Sequence, residues 1–544
     1  MGKNLVIVEV SQKQTYIFSS NKLRDNISRS AVIAYVTSAE YFGEAAAGYY
    51  EKEQNEVYCG GGHAILQFDD AEQAKGFIRA VTLDAKKRFP GLELFATVHE
   101  CGQEPAARDI FLLIQKLERK KSVRRASFAQ GSFGVEAIDP STRSVKEPKI
   151  NGKKAVVPSL EKDFGEIPQG FAKAWEFENL GASKNESSFI AVVHVDGNAM
   201  GKRVEQIREQ YGEKPWTEYR EILKKFSESI DQDFKSAFVE LCQVVAEKVH
   251  DGKIGEIELK TAQNGNYYFP VRRVITEGDD ICFVTEGRIG IECARIFIQI
   301  LSKKTNQVDG NNYAAAAGVA IVHQKYPFYI AYKHAEMLCS NAKKYIANAT
   351  ADMDGADASN VCAIDWHIDF GELEEGIEEV REKYRTADGG RMELRPYVIC
   401  GPDSFMKKER VRDYRNFLNV MKVLDDTASA RRKSALASTA KDAAYARGKI
   451  KQLREYIRQG ETAVWNYLRA NRIEDLVLLC YKGIYADADT SLIGTGQGQQ
   501  RETFIQTSDG ERRSIFFDAI EMMDTFEPLG FAGDTLENAG QGGM

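Results

Sequence analysis

Long hydrophobic runs are missing from this 544-residue sequence. No stretch reaches the roughly 18 consecutive apolar residues from which a transmembrane helix is usually recognised. The first residues, Met1 to Val10, lack the basic and apolar regions of a signal peptide. These two absences predict a cytoplasmic protein without a membrane span.

Closely spaced cysteines are missing too. The nine cysteines are scattered singly along the chain. Disulfide frameworks and zinc ribbons need clustered thiols, so this pattern argues against both. The simplest interpretation is that each cysteine is a buried, reduced thiol.

A net positive charge is also lacking, because the formal charge is −7. That value does not favour a generic nucleic-acid binder. Residues 407–458, however, contain 15 Lys and Arg against 6 Asp and Glu, a local charge of +9, and leave the remainder near −16. This basic segment predicts a docking surface for RNA or a protein partner. The alternative is an ordinary solvated helix face.

Strand and helix patterns alternate through the first 125 residues. Strand patterns at 5–10 and 92–98 enclose helix patterns at 32–50 and 71–88 and a hairpin around Gly60-Gly61-Gly62. The order β-α-β-β-α-β is that of the ferredoxin-like fold. A further helix then ends in a basic cluster at residues 119–125. Residues 1–125 are therefore predicted to form a first unit.

The same order recurs between residues 187 and 400. An apolar strand at 189–195 runs into Asp196, a helix with 3.6-residue periodicity follows, and two strand patterns frame residues 277–280. The predicted fold class is α+β, with two ferredoxin-like units in tandem and a C-terminal helical domain. The remaining segments are predicted as a connection at 126–186, a basic α-helical domain at 401–485 and a partly disordered tail at 486–544.

The first candidate motif is Asp196-Gly197-Asn198-Ala199-Met200-Gly201 at the end of the apolar strand. A carboxylate there, followed by glycines at a helix start, suits a metal-bound triphosphate. Glycine lets the backbone approach, and free N–H groups at the helix N-terminus attract phosphate. The alternative for this motif alone is a plain turn with an aspartate cap.

The second motif is Gly278-Asp279-Asp280 at the tip of a predicted hairpin. In a β-α-β-β-α-β fold this hairpin lies beside the first strand, so its tip should fall next to Asp196. Three crowded carboxylates raise one another's pKa, and divalent cations relieve the repulsion. The motifs together predict a Mg²⁺ or Mn²⁺ site formed by Asp196, Asp279 and Asp280, which are also the predicted catalytic residues.

Lys343 lies near the end of the helix predicted at residues 329–346. There it either contacts a nucleotide phosphate or compensates the helix dipole. His194 is predicted to be a packed neighbour of Asp196 rather than a ligand.

In combination these motifs resemble the second Palm domain of the large, polymerase-like subunit of type III CRISPR effector complexes. The resemblance extends to residues 317–322, 326–328, 342–344, 364–367 and 395–397, while residues 14–24 resemble that subunit's first Palm domain. It covers roughly residues 1–485. More distantly, the second unit is similar to GGDEF cyclases, in which a lysine matching Lys343 contacts phosphate.

The resemblance implies a nucleotidyltransferase that joins ATP or other NTPs into cyclic oligoadenylate-like messengers in antiviral defence. Gly197, Asn198, Gly201, Gly278 and Lys343 would then contact nucleotide. The runner-up is a non-catalytic Palm-derived scaffold that binds RNA or protein. A third alternative is an adenylate or diguanylate cyclase-like enzyme, and a homo-oligomer is compatible with each.

The sequence departs from that family in three ways. Glu277 stands where the hairpin usually has glycine, and its side chain either crowds the nucleotide or adds a metal ligand. The HD nuclease domain and the zinc-binding cysteines of the family are not recognisable in this sequence and are expected to be absent. In the first unit, Glu9 stands near the catalytic strand position but the hairpin has no acid. That unit is expected to be degenerate and to hold at most a second nucleotide, near Gly61 and His63.

Overall fold

The computed structural model describes most of the chain. The described residues are 2–123, 135, 149–150, 153–154, 166–180, 188–351, 353, 357–369, 376–434, 447–474, 476–477, 480 and 502–530. Arg124 and Arg125 of the predicted basic cluster lie outside them. None of the described helices is long and apolar enough to cross a membrane.

The first unit contains four strands and six helices. The strands are β1 (Asn4–Ser11), β2 (Glu56–Gly60), β3 (His63–Phe68) and β4 (Glu93–Glu100). The helices are α1 (Lys13–Ile17), α2 (Leu23–Val36), α3 (Ala39–Ala45), α4 (Lys52–Asn55), α5 (Ala71–Arg88) and α6 (Ala107–Ser122). The strand order is β2-β3-β1-β4, and β1 pairs antiparallel with both β3 and β4.

The single helix predicted at residues 32–50 is wrong. The chain instead breaks between α2 and α3, where the Ser38 hydroxyl accepts a hydrogen bond from the Tyr41 backbone N–H. A serine that satisfies a free N–H in this way starts a new helix. Two further short helices, α1 and α4, have no clear apolar periodicity in the sequence.

Short strands connect the two units. They are β5 (Lys149–Ile150), β6 (Lys153–Lys154) and β7 (Phe171–Ala172). Within the predicted connection, Phe177 stacks on Phe328 with ring centroids 4.8 Å apart. The described part of the connection therefore packs against the second unit.

The second unit is built on a six-stranded sheet, whose strands are β8 (Phe189–Gly197), β12 (Val271–Glu277), β13 (Asp280–Glu286), β14 (Ala315–His323), β15 (Cys362–Asp369) and β16 (Tyr397–Cys400). Two-residue strands precede β12, namely β9 (Lys253–Ile254), β10 (Ile257–Glu258) and β11 (Tyr267–Tyr268). The helices are α7 (Met200–Tyr211), α8 (Trp216–Glu247), α9 (Gly290–Leu301), α10 (Phe328–Thr350) and α11 (Ile377–Glu382).

The order β12-β13-β8-β14 repeats that of the first sheet, and β15 and β16 extend it. The strand predicted at 394–399 begins only at Tyr397. Pro396 precedes it and has no N–H with which to join a ladder.

The two faces of β8 have different partners. Val193 and Val195 share a core with α8 and α9, whereas Ile190 and Val192 share one with α10 and with residues of the first unit. Because side chains alternate along a strand, Asp196 lies on the same face as Ile190 and Val192. The sheet thus presents its candidate carboxylate on the α10 side.

The C-terminal part is mainly helical, with α12 (Asp403–Lys408), α13 (Tyr414–Ser434), α14 (Arg447–Gln459) and α15 (Glu461–Ala470). The segment predicted as a tail contains a folded element, formed by β17 (Phe504–Gln506), β18 (Arg512–Ser514) and α16 (Phe517–Met522). The buried Asp518 accepts hydrogen bonds from the backbone N–H groups of Leu394 and Arg395. These bonds attach the element to the second unit.

Candidate active site

Two of the three predicted aspartates lie directly opposite each other on neighbouring strands. Asp196 near the end of β8 pairs with Asp280 at the start of β13. Directly paired side chains lie on the same face, with Cβ atoms about 4.5–5.5 Å apart. The Nδ1 atom of His194, two residues earlier on β8, lies 3.3 Å from Asp280 Oδ1.

The hairpin turn brings Asp279 to the same place. Gly278 adopts φ +64°, a left-handed conformation that glycine adopts readily. The Asp279 carbonyl accepts a 3.0 Å hydrogen bond from the Gly197 N–H. A Cβ at Gly197 would lie 3.0 Å from the Cβ of Asp279, so glycine is needed for this close approach.

Burial and mutual repulsion dominate the electrostatics of the aspartates. Burial, followed by the charge of Asp196, raises the pKa of Asp279 to about 6. Burial and then the charges of Asp196, Glu277 and Asp279 raise the pKa of Asp280 well above its ordinary value. Asp280 Oδ1 is buried without a hydrogen-bond partner. A divalent cation would satisfy these oxygens and relieve the repulsion.

The aspartates are close but do not converge on one point. Among the described residues, they do not form a group whose ligand oxygens all lie within 4.8 Å of one another. Part of the reason is Lys343, whose Nζ lies 2.7 Å from Asp196 Oδ2 and 2.9 Å from the Gly197 carbonyl oxygen. The ammonium of Lys343 attracts the Asp196 carboxylate, whereas the carboxylates of the hairpin repel it.

Lys343 does not lie at the end of its helix. The alternative in which it compensates the helix dipole is therefore wrong. Helix α10 continues to Thr350, because Tyr345, Ile346 and Ala349 keep its apolar face buried. Gly318 brings the helix close to β14, since a Cβ there would lie 2.0 Å from the Ala335 carbonyl oxygen. The lysine therefore reaches the strand end from the middle of a closely packed helix.

The other residues of the first motif divide into two groups. Asn198 is 5% exposed, and its amide nitrogen donates to the Val361 carbonyl, so it mainly holds the loop. Ala199 caps α7 with φ +57°. Gly201 lies in the first turn of α7, and the position of a Cβ there has no neighbour within 4 Å. Gly201 therefore faces open space, as does Gly278.

The first unit places an acid at the matching position. Glu9 on β1 pairs with His63 at the start of β3, just as Asp196 pairs with Asp280. Lys121 on α6 lies 2.6 Å from Glu9, which parallels Lys343 and Asp196. His63 bonds Tyr58, and burial lowers its pKa. The hairpin therefore offers a neutral imidazole in place of a carboxylate.

One lysine joins the two hairpins and was not predicted from the sequence. Lys13 Nζ donates to the Gly61 carbonyl of the first hairpin and lies 2.9 Å from Glu277 of the second. Beside it, Gln14 donates to Tyr332 and Glu336 of α10. No local pattern could reveal a contact between residues this far apart in the chain. The unusual Glu277 was the only sequence signal.

A cavity of about 500 Å³ opens between the units at this contact. Its walls include acids from both units and the bridging lysine, namely Glu9, Lys13, Glu277 and Asp280, together with Tyr329, Tyr332 and Lys333. This volume is within the range of small-molecule sites.

Comparison with known proteins agrees with this geometry. Residues 189–351 match the family model described as Cas10/Cmr2, second palm domain. The second unit of this chain is therefore similar to that palm domain. No curated protein matches the sequence of the chain significantly.

Solved structures similar to this chain include three crystal structures of a Csm1–Csm4 cassette, in complex with cA4, in the apo form and in complex with one ATP. Each has a TM-score of 0.50 and 14% sequence identity. Each comparison covers 96% of this chain, and 69%, 70% and 70% of the respective matched chains. At this identity the likeness concerns the fold.

Several cations in the basic helical part of this chain form ion pairs with carboxylates of the same chain. Arg412 is 1% exposed and lies 2.7 Å from Asp509, Arg415 lies 2.5 Å from Asp413, and Lys451 pairs with Asp524. The side chains of Arg431, Arg432 and Lys433 lie outside the described residues. The predicted docking surface for RNA or protein remains a prediction.

Proposed function

We propose that the second unit is a nucleotidyltransferase that joins ATP or related NTPs into cyclic oligonucleotides, and that it serves antiviral defence as part of a CRISPR-type effector. The observation that carries the proposal is the pairing of Asp196 with Asp280 beside Asp279, whose pKa is raised to about 6. Carboxylates held together against their repulsion are typical of functional sites.

The aspartates fit a divalent cation, because Asp280 Oδ1 is buried and accepts no hydrogen bond, with His194 Nδ1 3.3 Å away. Asp196, Asp279 and Asp280 would hold Mg²⁺ or Mn²⁺, which activates a 3′-hydroxyl and stabilises the leaving pyrophosphate. Lys343 is placed to exchange its contact with Asp196 for a phosphate oxygen. Gly278 and Gly201 leave room for the nucleotide on either side.

A second nucleotide would lie against the first unit. The units pack reciprocally, with α8 against β2 and α2 against β12. This reciprocal packing supports an arrangement in which two ferredoxin-like units are related by an approximate two-fold axis, with the cavity between them. Gly61 adopts φ +59°, matching Gly278, and Lys13 offers a cation to phosphate. Glu9 and His63 form no carboxylate pair, so only the second unit would be catalytic.

A non-catalytic scaffold is the second candidate. Two ion pairs within the protein favour it: Lys343 pairs with Asp196, and Lys13 pairs with Glu277. Each lysine that could bind a nucleotide phosphate therefore already has a carboxylate partner. In a scaffold these pairs would be permanent. In an enzyme, nucleotide phosphates would replace the carboxylates as partners of the lysines.

The test incubates the full chain with Mg²⁺ or Mn²⁺ and each NTP, with and without single-stranded RNA, and identifies products by mass. Asp196→Ala and Asp279→Ala should each lower turnover by about 100-fold or more, since a metal ligand is worth several kcal/mol. Glu53→Gln, at an exposed acid of the first unit that does not line the cavity, is the matched control and should retain turnover. Product from both aspartate variants, or no product from any NTP under either condition, overturns the proposal.

A further inference from the structure

A second group of metal-ligating side chains lies in the first unit, away from the aspartates. His99 is next to last in β4, Cys101 follows the strand, and Asp109 lies in the first turn of α6. One ligand atom from each lies within 4.8 Å of the other two. A search of the described residues for three or more such side chains finds this group alone.

Local structure fixes these positions. His99 and Cys101 are two residues apart, so an extended chain points both side chains to the same side. The Cys101 N–H donates to the Lys3 carbonyl at 2.8 Å, which continues the pairing of β4 with β1 past the strand end. One Asp109 oxygen, Oδ2, accepts a 2.8 Å bond from the Ala106 N–H. The other, Oδ1, lies 3.1 Å from His99 Nε2.

We propose that His99, Cys101 and Asp109 bind one Zn²⁺ ion, with water as the fourth ligand. Imidazole, thiolate and carboxylate are the donors that zinc takes, at ligand bonds of about 2.0–2.3 Å. Tetrahedral ligands at such distances are separated by about 3.3–3.7 Å. His99 and Asp109 already have nearly this spacing, and rotation of the Cys101 side chain would complete the set.

The surroundings of the three side chains are partly open to solvent, so an ion can enter and leave the site. The side chains of His99 and Asp109 are 20% and 19% exposed, which leaves a path for the ion and space for water. A thiol and an imidazole favour zinc over Mg²⁺, whereas the all-carboxylate set of the second unit favours Mg²⁺ or Mn²⁺. The two sites would therefore bind different ions in one chain.

A zinc ion bound here would link the end of β4 to the first turn of α6. The same helix carries Lys121, which pairs with Glu9 at the edge of the cavity. The inference does not depend on nucleotidyltransferase activity. A site with a single thiol also fits the sequence, in which scattered cysteines argue only against sites that need several.

The test uses the full chain with Asp279→Ala, a substitution that weakens the aspartate site. The protein is first treated with a chelator and is then titrated with Co²⁺ and Zn²⁺. Co²⁺ should give a thiolate charge-transfer band with a stoichiometry of one ion per chain, and Zn²⁺ should displace it. Zn²⁺ should also raise the melting temperature. Cys101→Ser and His99→Gln should each lose the band, whereas Cys59→Ser, another partly buried cysteine of the same unit, should keep it.

A second measurement does not depend on the folding of the variants. In the chain with its native cysteines, Zn²⁺ should protect Cys101 from alkylation by at least about tenfold in rate, read by peptide mass, because a bound thiolate is not free to react. Cys59 should show no such protection. No thiolate band, a band that survives Cys101→Ser, or equal alkylation with and without Zn²⁺ overturns the proposal.

Discussion

The first and second units place an acid and a lysine at the same two positions, yet only one unit has a concentrated negative charge. Glu9 with Lys121 corresponds to Asp196 with Lys343 in strand register and in the helix that supplies the lysine. The difference lies in the hairpin, where the second unit has Asp279 and Asp280 and the first has Gly62 and His63. The shared fold provides the positions, and two hairpin residues decide whether carboxylates are brought together there.

A second difference lies in how closely the helix approaches the sheet. Gly318 on β14 pairs with His194, and the matching position on β4, which pairs with Ile7, is Thr97. Helix α10 therefore contacts the backbone of β14 directly, whereas α6 has a side chain beneath it. Close packing in the second unit positions Lys343 with less freedom than Lys121.

The largest effect is expected from Gly318→Ala. The added methyl would lie 2.0 Å from the Ala335 carbonyl oxygen and 2.4 Å from the Cys339 nitrogen, and neither backbone atom can turn aside. Overpacking of this kind costs about 1–3 kcal/mol and sometimes more. We expect a clear fall in the free energy of unfolding, measured by chemical denaturation.

The matched control is Gly43→Ala in α3, where a Cβ would have no neighbour within 4 Å. It should leave stability unchanged or slightly increased, because alanine favours a helix over glycine. If Gly318→Ala were as stable as this control, the close approach of α10 would not distinguish the two units.

The second prediction compares the two lysines. Lys343→Ala should lower kcat/KM for NTP turnover by about 10- to 100-fold, or about 1.4–2.8 kcal/mol in the barrier, because a cation beside developing phosphate charge is lost. Lys121→Ala removes the equivalent contact to Glu9 and should change turnover by less than about twofold. Equal losses in both variants would mean that the first unit takes part in the chemistry.

The strand positions of the aspartates could be predicted because they depend on local patterns. An apolar run ending at Asp196 and a Gly-Asp-Asp turn between two strands were enough to predict that these residues meet, and the register confirms it. Both hairpins were also evident from glycine and alternating apolar residues.

The contacts between the units could not be predicted in the same way. Lys13 and Glu277 are separated by 264 residues, and no periodicity links them. The end of α10 was missed because its last turns contain polar and small residues whose burial depends on β15 and β16. The folded element at residues 502–530 is stabilised by its attachment to the second unit, which composition alone does not reveal.

The third prediction concerns pH and the hairpin carboxylates without divalent cations. The folded pKa of Asp279, about 6, exceeds the ordinary value of 3.8, so its proton stabilises the fold at low pH. This stability is lost as pH rises from about 4 to about 6. Asp279→Asn should therefore raise the melting temperature in chelator at pH 8 more than at pH 4.

At pH 8, saturating Mg²⁺ should give the native chain a higher melting temperature than Asp279→Asn, because only the native carboxylate binds the ion and is stabilised by it. Glu53→Gln, at an exposed acid of the first unit, should show neither effect. A pH-independent difference between Asp279→Asn and the native chain would mean that neither burial nor repulsion raises the pKa of Asp279 in the fold.

The smallest effect is expected from the contact that joins the units. The Lys13 and Glu277 side chains are 27% and 11% exposed and 2.9 Å apart. A partly buried pair of this kind contributes about 1 kcal/mol or less. A double-mutant cycle with Lys13→Met and Glu277→Gln, read by chemical denaturation, should give a coupling energy of this size.

The same pair tests why the second hairpin has Glu277 at the position where the first hairpin has Gly60. Glu277→Gly frees Lys13 Nζ, which still donates to the Gly61 carbonyl, and a freed ammonium can bind a nucleotide phosphate. We therefore expect turnover to be preserved or raised in Glu277→Gly and lowered when Lys13→Met is added. A tenfold loss in the single variant would show that the carboxylate itself takes part in binding or catalysis. In that case Glu277 would be a fourth acid of the site, and the difference between the two hairpins would be larger than the aspartates alone suggest.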